Sequence, residues 1–222
     1  MTTARKTSLI EAVANGHRPS VGEVVELLRS QGDVQTELYR AADRKRQEVF
    51  GDVVYIRGII EFSNYCRKHC NYCGIRCGNR AVKRYRMSAD EIVPTAARAR
   101  HSGATTVVLQ SGEDPHFTVA ALGEIVRRIK TEAGVPAVTL SVGERPAGDC
   151  LALKQAGCDR YLLRFETSDR DLFRRLHPDD DFDERVACLR QLRRIGIQVG
   201  SGFMIGLPDA GLDVLARDIL FA

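Results

Sequence analysis

Four cysteines within twelve positions form the densest group of reactive side chains in the sequence. They are Cys66, Cys70, Cys73 and Cys77, in the segment FSNYCRKHCNYCGIRC (residues 62–77), and their spacing is C-x3-C-x2-C-x3-C. The chain has seven cysteines in 222 residues, an odd number in a chain longer than most disulfide-stapled domains. Thiols spaced this closely indicate a metal site or a catalytic site.

Three kinds of metal site compete for these thiols. Structural zinc prefers two well-separated C-x2-C pairs, and only Cys70 and Cys73 form such a pair. A bacterial ferredoxin run has the spacing C-x2-C-x2-C-x3-C followed by proline, and both the first gap and the proline are missing here. In the third kind, Cys66, Cys70 and Cys73 hold three irons of a cubane 4Fe–4S cluster, and the fourth iron has no cysteine ligand and can bind an exogenous ligand.

The cysteines lie in a strongly basic segment, residues 66–87. This basic segment contains no acidic residue, although the net charge of the whole chain is only +4. Such a local field attracts an anionic partner, which could be an electron-donor protein, a carboxylate or phosphate ligand, or nucleic acid. The alternative is a solvated loop with no specific partner. The seven cationic residues are Arg67, Lys68, Arg76, Arg80, Lys83, Arg84 and Arg86.

The elements that must position these residues alternate between strands and helices. Apolar, β-branched runs predict strands over 53–62, 105–110, 137–142, 160–166 and 198–205, each followed by a helical pattern. This alternation predicts parallel strands joined by right-handed crossovers. The expected fold class is α/β: a partial (β/α) TIM-type barrel of about five βα units over residues 52–222, with an N-terminal helical extension over residues 1–51. Because a complete eight-unit barrel spans about 250 residues, we expect the chain to be truncated at its C-terminus.

The sequence contains no signal for export or for membrane insertion. No apolar run approaches the ~18 residues that indicate a membrane span, and the N-terminal segment MTTARKTSLIEAVANGHRPS is interrupted by charges. We therefore expect a cytoplasmic protein without a membrane partner.

Several motifs resemble those of a known enzyme family. The C-x3-C-x2-C pattern, with the aromatic Tyr72 before the third cysteine, resembles the signature of the radical S-adenosylmethionine (SAM) superfamily. Within it, the chain from about Val53 onward is similar to the branch of the FeFe-hydrogenase maturase HydE, and the related PylB and biotin synthase share parts of the pattern. The similar segments are EFSNYCRKHCNYCGIR, KRYRMSADEIV, LQSGEDP, TLSVGE, YLLRFET and GFMIGLP.

The resemblance implies a cofactor and a chemistry. A 4Fe–4S cluster would be held by Cys66, Cys70 and Cys73, its open iron chelated by SAM, and one electron would cleave SAM to a 5′-deoxyadenosyl radical. Cys77 would stay outside the cluster; the alternative is that Cys77 is a fourth ligand, which would make the cluster an electron-transfer centre instead of a catalytic one. An acidic electron donor such as flavodoxin or ferredoxin would supply the electron. The substrate would be a small or iron-bound amino-acid-derived species in FeFe-hydrogenase H-cluster maturation, with other hydrogenase maturases as further partners.

The resemblance also implies roles for individual residues. Glu113, after the second strand, would contact the methionyl amino group, and Arg185 would hold the methionyl carboxylate. Glu166 would bind the ribose hydroxyls, and Arg164 would position substrate or cofactor, so these two are the predicted catalytic residues. The predicted cofactor-binding set is Tyr72, Gln110, Ser111, Glu113, Thr139, Glu166, Arg185 and Met204.

Some of these residues have structural alternatives. Glu113 could lie in an ordinary exposed turn, Arg164 and Glu166 could form a salt bridge inside the barrel, and Met204 could be core. The remaining cysteines, Cys150, Cys158 and Cys188, are expected to be structural thiols, and His101 and His177 to be helix-end and loop residues.

Two further functions remain open. Within the same family, the chain could be a methylornithine-forming mutase like PylB, or an enzyme like biotin synthase. From another class, it could be a non-catalytic iron–sulfur or zinc module that docks nucleic acid through the basic segment, although nucleic acid is not the partner we favour.

Overall fold

A computed structural model describes residues 1–222, with nine helices and five strands. The strands are β1 (Arg57–Ser63), β2 (Thr106–Ser111), β3 (Ala137–Ser141), β4 (Arg160–Leu162) and β5 (Gln198–Gly200). The helices are α1 (Thr3–Ala14), α2 (Val21–Leu28), α3 (Gly32–Phe50), α4 (Ala89–His101), α5 (Val119–Thr131), α6 (Ala147–Gln155), α7 (Arg170–Leu176), α8 (Phe182–Arg194) and α9 (Leu212–Phe221). None of the helices combines the length and the hydropathy needed to cross a membrane.

The five strands form one parallel sheet in the order β1-β2-β3-β4-β5. At least one helix follows each strand before the next one begins, so the predicted alternation and the parallel pairing are confirmed. The register pairs Ser63 with Ser111 and Gln110 with Ser141. The carboxyl ends of β1, β2 and β3 therefore meet at one edge, where a sheet of this type carries its chemistry.

Three strands are shorter than their composition predicts. Residues 53–56 pair with no strand, and Val54 is 86% exposed. β4 and β5 end at Leu162 and Gly200 instead of residues 166 and 205. Beyond those points, Glu166 has a φ of 63° and forms a single bridge to Phe203. A left-handed residue cannot continue a regular ladder.

The chain divides into two compact units. The sheet unit (residues 55–166 and 170–203) contains the sheet and α4–α8. Its core is built from buried strand and helix residues such as Phe62, Leu109, Leu140, Tyr161 and Leu192. Helix α4 lies close to β1, since a Cβ on Gly58 would be 2.9 Å from the Cβ of Ala99.

The helical unit (residues 1–54, 167–169 and 204–222) contains α1–α3 and α9. Ser20 and Glu23 form a capping box that begins α2. Helix α2 packs against α9, and α1 against α3. In α9, the buried carboxylate of Asp218 accepts hydrogen bonds from the Thr167 hydroxyl, 3.2 Å away, and from Ser168. The predicted helical extension covered only residues 1–51, whereas this unit also includes segments from later in the chain.

Candidate active site

A cavity of about 230 Å³ opens in the sheet unit at the carboxyl ends of the strands. The cysteine loop (residues 64–77), which follows β1, forms one wall, and segments that follow β2, β3 and β4 form the others. Ten predicted site residues line it: Cys66, Cys70, Tyr72, Cys73, Gln110, Ser111, Glu113, Arg164, Glu166 and Arg185. Side chains separated by more than 100 positions in the sequence thus meet in one cavity.

Short-range turns and two distant segments hold the cysteine loop in place. The Cys73 amide donates to the Cys70 carbonyl at 3.1 Å, and the Asn71 amide donates to the carbonyl of Leu176, at the end of α7, at 2.9 Å. On the other side, a Cβ on Gly112 would lie 2.3 Å from the Tyr65 carbonyl oxygen and 2.6 Å from the Cys66 Cβ. Only glycine allows the segment after β2 to approach the cysteine loop this closely.

Three thiols of the loop face the cavity, and the fourth does not. Cys66, Cys70 and Cys73 are half-buried and line the cavity, whereas Cys77 is exposed and does not. Burial raises the pKa of the Cys66 thiol, and it raises the pKa of Cys70 to about 12. Both thiols are therefore protonated at neutral pH, and metal binding must displace those protons.

Much of the positive charge of the basic segment is used inside the fold. The Arg84 guanidinium donates to four backbone carbonyls, those of Asn64, Ile75 and Arg76 in the cysteine loop and that of Asn79 just after it. Arg86 forms a bidentate pair with the buried carboxylate of Asp114, at 2.7 and 2.9 Å. Arg80 and Lys83 are exposed and form no ion pair. The sequence shows the positive charge, but it does not show which cations are paired inside the fold and which are exposed.

Glu166 is strained, buried and incompletely hydrogen-bonded. Its φ of 63° is the left-handed region, which costs a residue with a side chain about 1–2 kcal/mol. One carboxylate oxygen accepts a hydrogen bond from the Tyr72 hydroxyl at 3.2 Å, and the other, Oε2, is buried without a partner. Burial raises the pKa of Glu166 and outweighs the positive charge of Arg164. A ligand hydroxyl donating to Oε2 would complete the hydrogen bonding of this side chain.

His177 is the site residue that the sequence did not reveal. It was predicted to be an ordinary loop residue, but it is 2% exposed and lines the cavity. Its Nδ1 lies 3.3 Å from the Cys70 Sγ and 3.1 Å from Asp180 Oδ2, and its Nε2 lies 3.1 Å from the Tyr72 hydroxyl. The ring stacks on Phe173 at 4.5 Å. No local pattern signals the contacts with Cys70 and Tyr72, because these two partners are about a hundred residues away.

Arg185 is the centre of a buried ion network. Its guanidinium donates to the carboxylates of Glu144 and of Asp180, the latter at 3.0 Å, and to the Arg164 carbonyl at 2.8 Å. Burial by itself would raise the pKa of Asp180, but hydrogen bonds from His177 and Lys68 and the charge of Arg185 hold that pKa well below its ordinary value. The network is therefore ionised, with some guanidinium N–H groups of Arg185 still free to bind an anionic ligand.

Glu113 lies in a packed loop, and its carboxylate is only 9% exposed. One oxygen accepts a hydrogen bond from the Glu144 amide at 3.0 Å, and the other accepts one from Arg67 at 3.2 Å. A Cβ on Gly143, whose φ is +78°, would lie 2.0 Å from the Glu113 Cγ. Glu113 therefore does not lie in an exposed turn, which was the structural alternative for this residue.

Three other predicted features differ from their expected placement. Thr139 is buried in β3 and does not line the cavity, although Ser141 on the same strand does. Met204 is half-buried and belongs to the helical unit, and its predicted role in cofactor binding stays a prediction. The Arg164 side chain is exposed and forms no salt bridge with Glu166.

These residues fit a 4Fe–4S cluster and SAM. Three half-buried thiols can supply three cluster ligands. The unpartnered Oε2 of Glu166 suits a hydroxyl donor, and the Arg185 network suits a zwitterionic amino-acid group. The site therefore offers separate anchors for a metal cluster, a hydroxyl-bearing ring and an amino acid.

Comparison with known proteins gives a family match and several relatives. The family described as "Radical SAM superfamily" matches residues 60–221. The [FeFe] hydrogenase maturase subunit HydE of Thermotoga maritima is 50% identical over 184 residues, which are 83% of this chain and 52% of HydE. The 3-methylornithine synthase of Methanosarcina barkeri is 31% identical over 205 residues, 91% of this chain and 58% of that protein.

The structural comparison gives the same result. The crystal structure of methylornithine synthase (PylB) superposes with a TM-score of 0.87 at 27% identity, covering 95% of this chain and 63% of that one. The predicted fold class, part of a TIM-type barrel, is thereby confirmed. The chain spans less than two thirds of the length of each of these relatives.

Proposed function

We propose that this chain, which belongs to the radical SAM superfamily, uses a 4Fe–4S cluster to cleave SAM reductively to a 5′-deoxyadenosyl radical. The family implies the cluster and SAM, and the ligands we assign are Cys66, Cys70 and Cys73. The observation that carries the assignment is the convergence of these three thiols and the unpartnered Glu166 Oε2 on one cavity.

Each residue around the cavity has a part in binding and orienting the cofactors. Glu166 accepts hydrogen bonds from the ribose hydroxyls, and Tyr72 holds its other oxygen. Arg185 binds the methionyl carboxylate with the N–H groups that Glu144 and Asp180 leave free. Glu113 attracts the methionyl ammonium. When bound, the cluster supplies the electron that breaks the carbon–sulfur bond of SAM.

Gln110, Ser111 and Arg164 complete the proposed site. Gln110 and Ser111 line the cavity where β2 ends. Their polar groups can orient the bound adenosyl group. The exposed guanidinium of Arg164 has no ion-pair partner and is available to a substrate anion. Thr139 and Met204 stay in the proposed cofactor-binding set with less support, since neither lines the cavity.

The biological role we propose is a step of FeFe-hydrogenase H-cluster maturation. It rests on the 50% identity with HydE over most of this chain. The substrate would be a small or iron-bound amino-acid-derived species, and other hydrogenase maturases would be partners. A mutase that forms methylornithine is the second candidate, favoured by the TM-score of 0.87 with PylB.

The electron would come from an acidic donor such as flavodoxin or ferredoxin. Arg80 and Lys83 are the cations of the basic segment best placed to receive it, because they are exposed and form no ion pair. Reversing both charges should slow SAM cleavage with reduced flavodoxin and leave cleavage with dithionite unchanged. Equal rates with flavodoxin before and after charge reversal would contradict this docking site.

The central test is SAM cleavage by the anaerobically reconstituted chain. With dithionite as reductant, it should release 5′-deoxyadenosine, measured by chromatography. Cys73→Ala should lose both iron and cleavage, whereas the matched variant Cys77→Ala should keep both, because Cys77 lies outside the cavity. Tight binding of one zinc per chain without any cleavage would refute the proposal. Adding lysine as substrate, and looking for methylornithine, tests the second candidate.

A further inference from the structure

Two thiols outside the active site lie against each other in the helical layer of the sheet unit. Cys150 is on α6 and Cys188 is on α8, and these two helices pack together. Both Sγ atoms lie near the same acceptor, the Arg145 carbonyl oxygen, at 3.6 Å for Cys150 and 3.9 Å for Cys188. The two thiols are near enough for each to shift the pKa of the other. They are 38 positions apart in the sequence, so no local motif predicts the pair.

The two thiols differ in burial and in acidity. Cys150 is 1% exposed, whereas Cys188 is half-buried. The neighbouring Cys150 thiol, together with the charge of Arg185 one turn earlier on α8, lowers the pKa of Cys188. The neighbouring Cys188 thiol and burial raise the pKa of Cys150. Cys188 is thus the more exposed and the more acidic of the two thiols, and Cys150 is the protonated neighbour behind it.

We propose that Cys150 and Cys188 form a reversible disulfide by exchange with a low-molecular-weight disulfide such as oxidised glutathione. The Cys188 thiolate attacks one sulfur of that disulfide, and a mixed disulfide forms as the first glutathione thiolate departs. This thiolate takes the proton of Cys150. The Cys150 sulfur then attacks the Cys188 sulfur and releases the second glutathione. The protein loses the proton of Cys150 and two electrons, and the small disulfide is reduced to one thiol and one thiolate.

The position of the pair connects it with the Arg185 network. Cys188 lies three residues after Arg185, on the same face of α8. The carbonyl that both thiols share belongs to Arg145, the residue after Glu144, which is an ion-pair partner of Arg185. A disulfide would fix α6 to α8 directly behind this ion pair. We therefore expect oxidation to change SAM affinity, a consequence that rests on the proposed function, whereas the disulfide itself does not.

Peptide mapping of the reconstituted holoprotein tests the proposal. The protein is incubated anaerobically with oxidised glutathione, alkylated and digested without reductant. We expect a cross-linked peptide containing Cys150 and Cys188 that disappears after treatment with dithiothreitol. Cys77 and Cys158 are internal controls. The exposed Cys77 should carry glutathione without cross-linking, and the buried Cys158, whose pKa is raised to about 12, should remain a free thiol.

Two variants separate the roles of the two thiols. In Cys150→Ala, Cys188 should stop at the mixed disulfide. In Cys188→Ser, Cys150 should stay unmodified. A wild-type sample in which Cys77 carries glutathione but no Cys150–Cys188 peptide forms would overturn the proposal. If the cross-linked protein binds SAM as the reduced protein does, only the link to the Arg185 network is refuted.

Discussion

Replacement of Glu166 by glutamine should weaken SAM binding and stabilise the ligand-free protein at the same time. Both effects come from the buried Oε2, which has no hydrogen-bond partner in the free protein. With SAM bound, we expect this oxygen to accept from a ribose hydroxyl. Glu166→Gln replaces one carboxylate oxygen by an amide group that cannot accept.

The expected loss of affinity follows from the strength of one charge-assisted hydrogen bond. A hydrogen bond to a charged group contributes about 1.5–3 kcal/mol, which corresponds to a roughly 10- to 150-fold weaker Kd. Isothermal titration of SAM into the cluster-loaded protein measures it. Glu124→Gln, an exposed change on α5, is the matched control and should leave the Kd unchanged.

The stability effect has the opposite sign. Because burial raises the pKa of Glu166 from 4.5, the unfolded chain releases this proton more readily than the folded chain. The free energy of unfolding therefore decreases as the pH rises through the folded pKa of Glu166. At neutral pH, the ionised side chain destabilises the fold. Glu166→Gln removes that cost, so its Tm at neutral pH should exceed that of the wild-type chain. A lower Tm, or an unchanged Kd for SAM, would refute the reasoning.

Three further predictions concern the surroundings of the cluster. Gly112→Ala should abolish iron loading, because its Cβ would lie 2.3 Å from a carbonyl oxygen, whereas Gly74→Ala, with nothing within 4 Å, should load normally in the same iron assay. His177→Phe should lower the reduction potential of the cluster without reducing iron content, because Cys70 loses its imidazole neighbour at 3.3 Å. An unchanged potential in an EPR-monitored titration would contradict this. In Asp114→Asn, the free energy of unfolding should decrease less than in the unchanged protein as the pH falls below 3.8, because hydrogen bonds from Arg86 hold the pKa of Asp114 below that value. Acid titration followed by circular dichroism measures the difference.

The sequence predicts the sheet well because its signals are local. Runs such as TTVVLQ and AVTLSV are apolar and β-branched, and β2 and β3 lie within one residue of the predicted ranges. The run at residues 53–56 has the same composition but no strand beside it, so composition alone predicts a strand that does not form. The regular pairing of the segment YLLRFE ends at Leu162, and its last residue, Glu166, has a left-handed backbone; nothing in its composition signals either feature.

The site is predictable only where a motif carries it. The cysteine spacing predicts three ligands, and the family resemblance predicts roles for Glu113, Glu166 and Arg185; all of these residues line the same cavity. His177 carries no such signal, since its importance lies in contacts with Cys70 and Tyr72 across about a hundred residues. Such contacts are a property of the folded chain and leave no local pattern in the sequence.

A polar chain links the proposed cluster ligands to the proposed ribose site. The Cys70 sulfur contacts His177, His177 contacts the Tyr72 hydroxyl, and that hydroxyl donates to Glu166, with separations of 3.3, 3.1 and 3.2 Å. Each contact in this polar chain includes at least one buried or half-buried side chain. We therefore expect a change at Cys70 to alter the orientation of the Glu166 carboxylate. The imidazole cannot satisfy both Asp180 and Cys70 with the single proton of Nδ1. If Cys70 is a thiolate, as it would be as a cluster ligand, it competes for that proton more strongly than the Cys70 thiol of the metal-free protein does. Cluster binding would therefore shift the Nδ1 hydrogen bond towards sulfur, and the same ring would hold Tyr72 where Glu166 needs it.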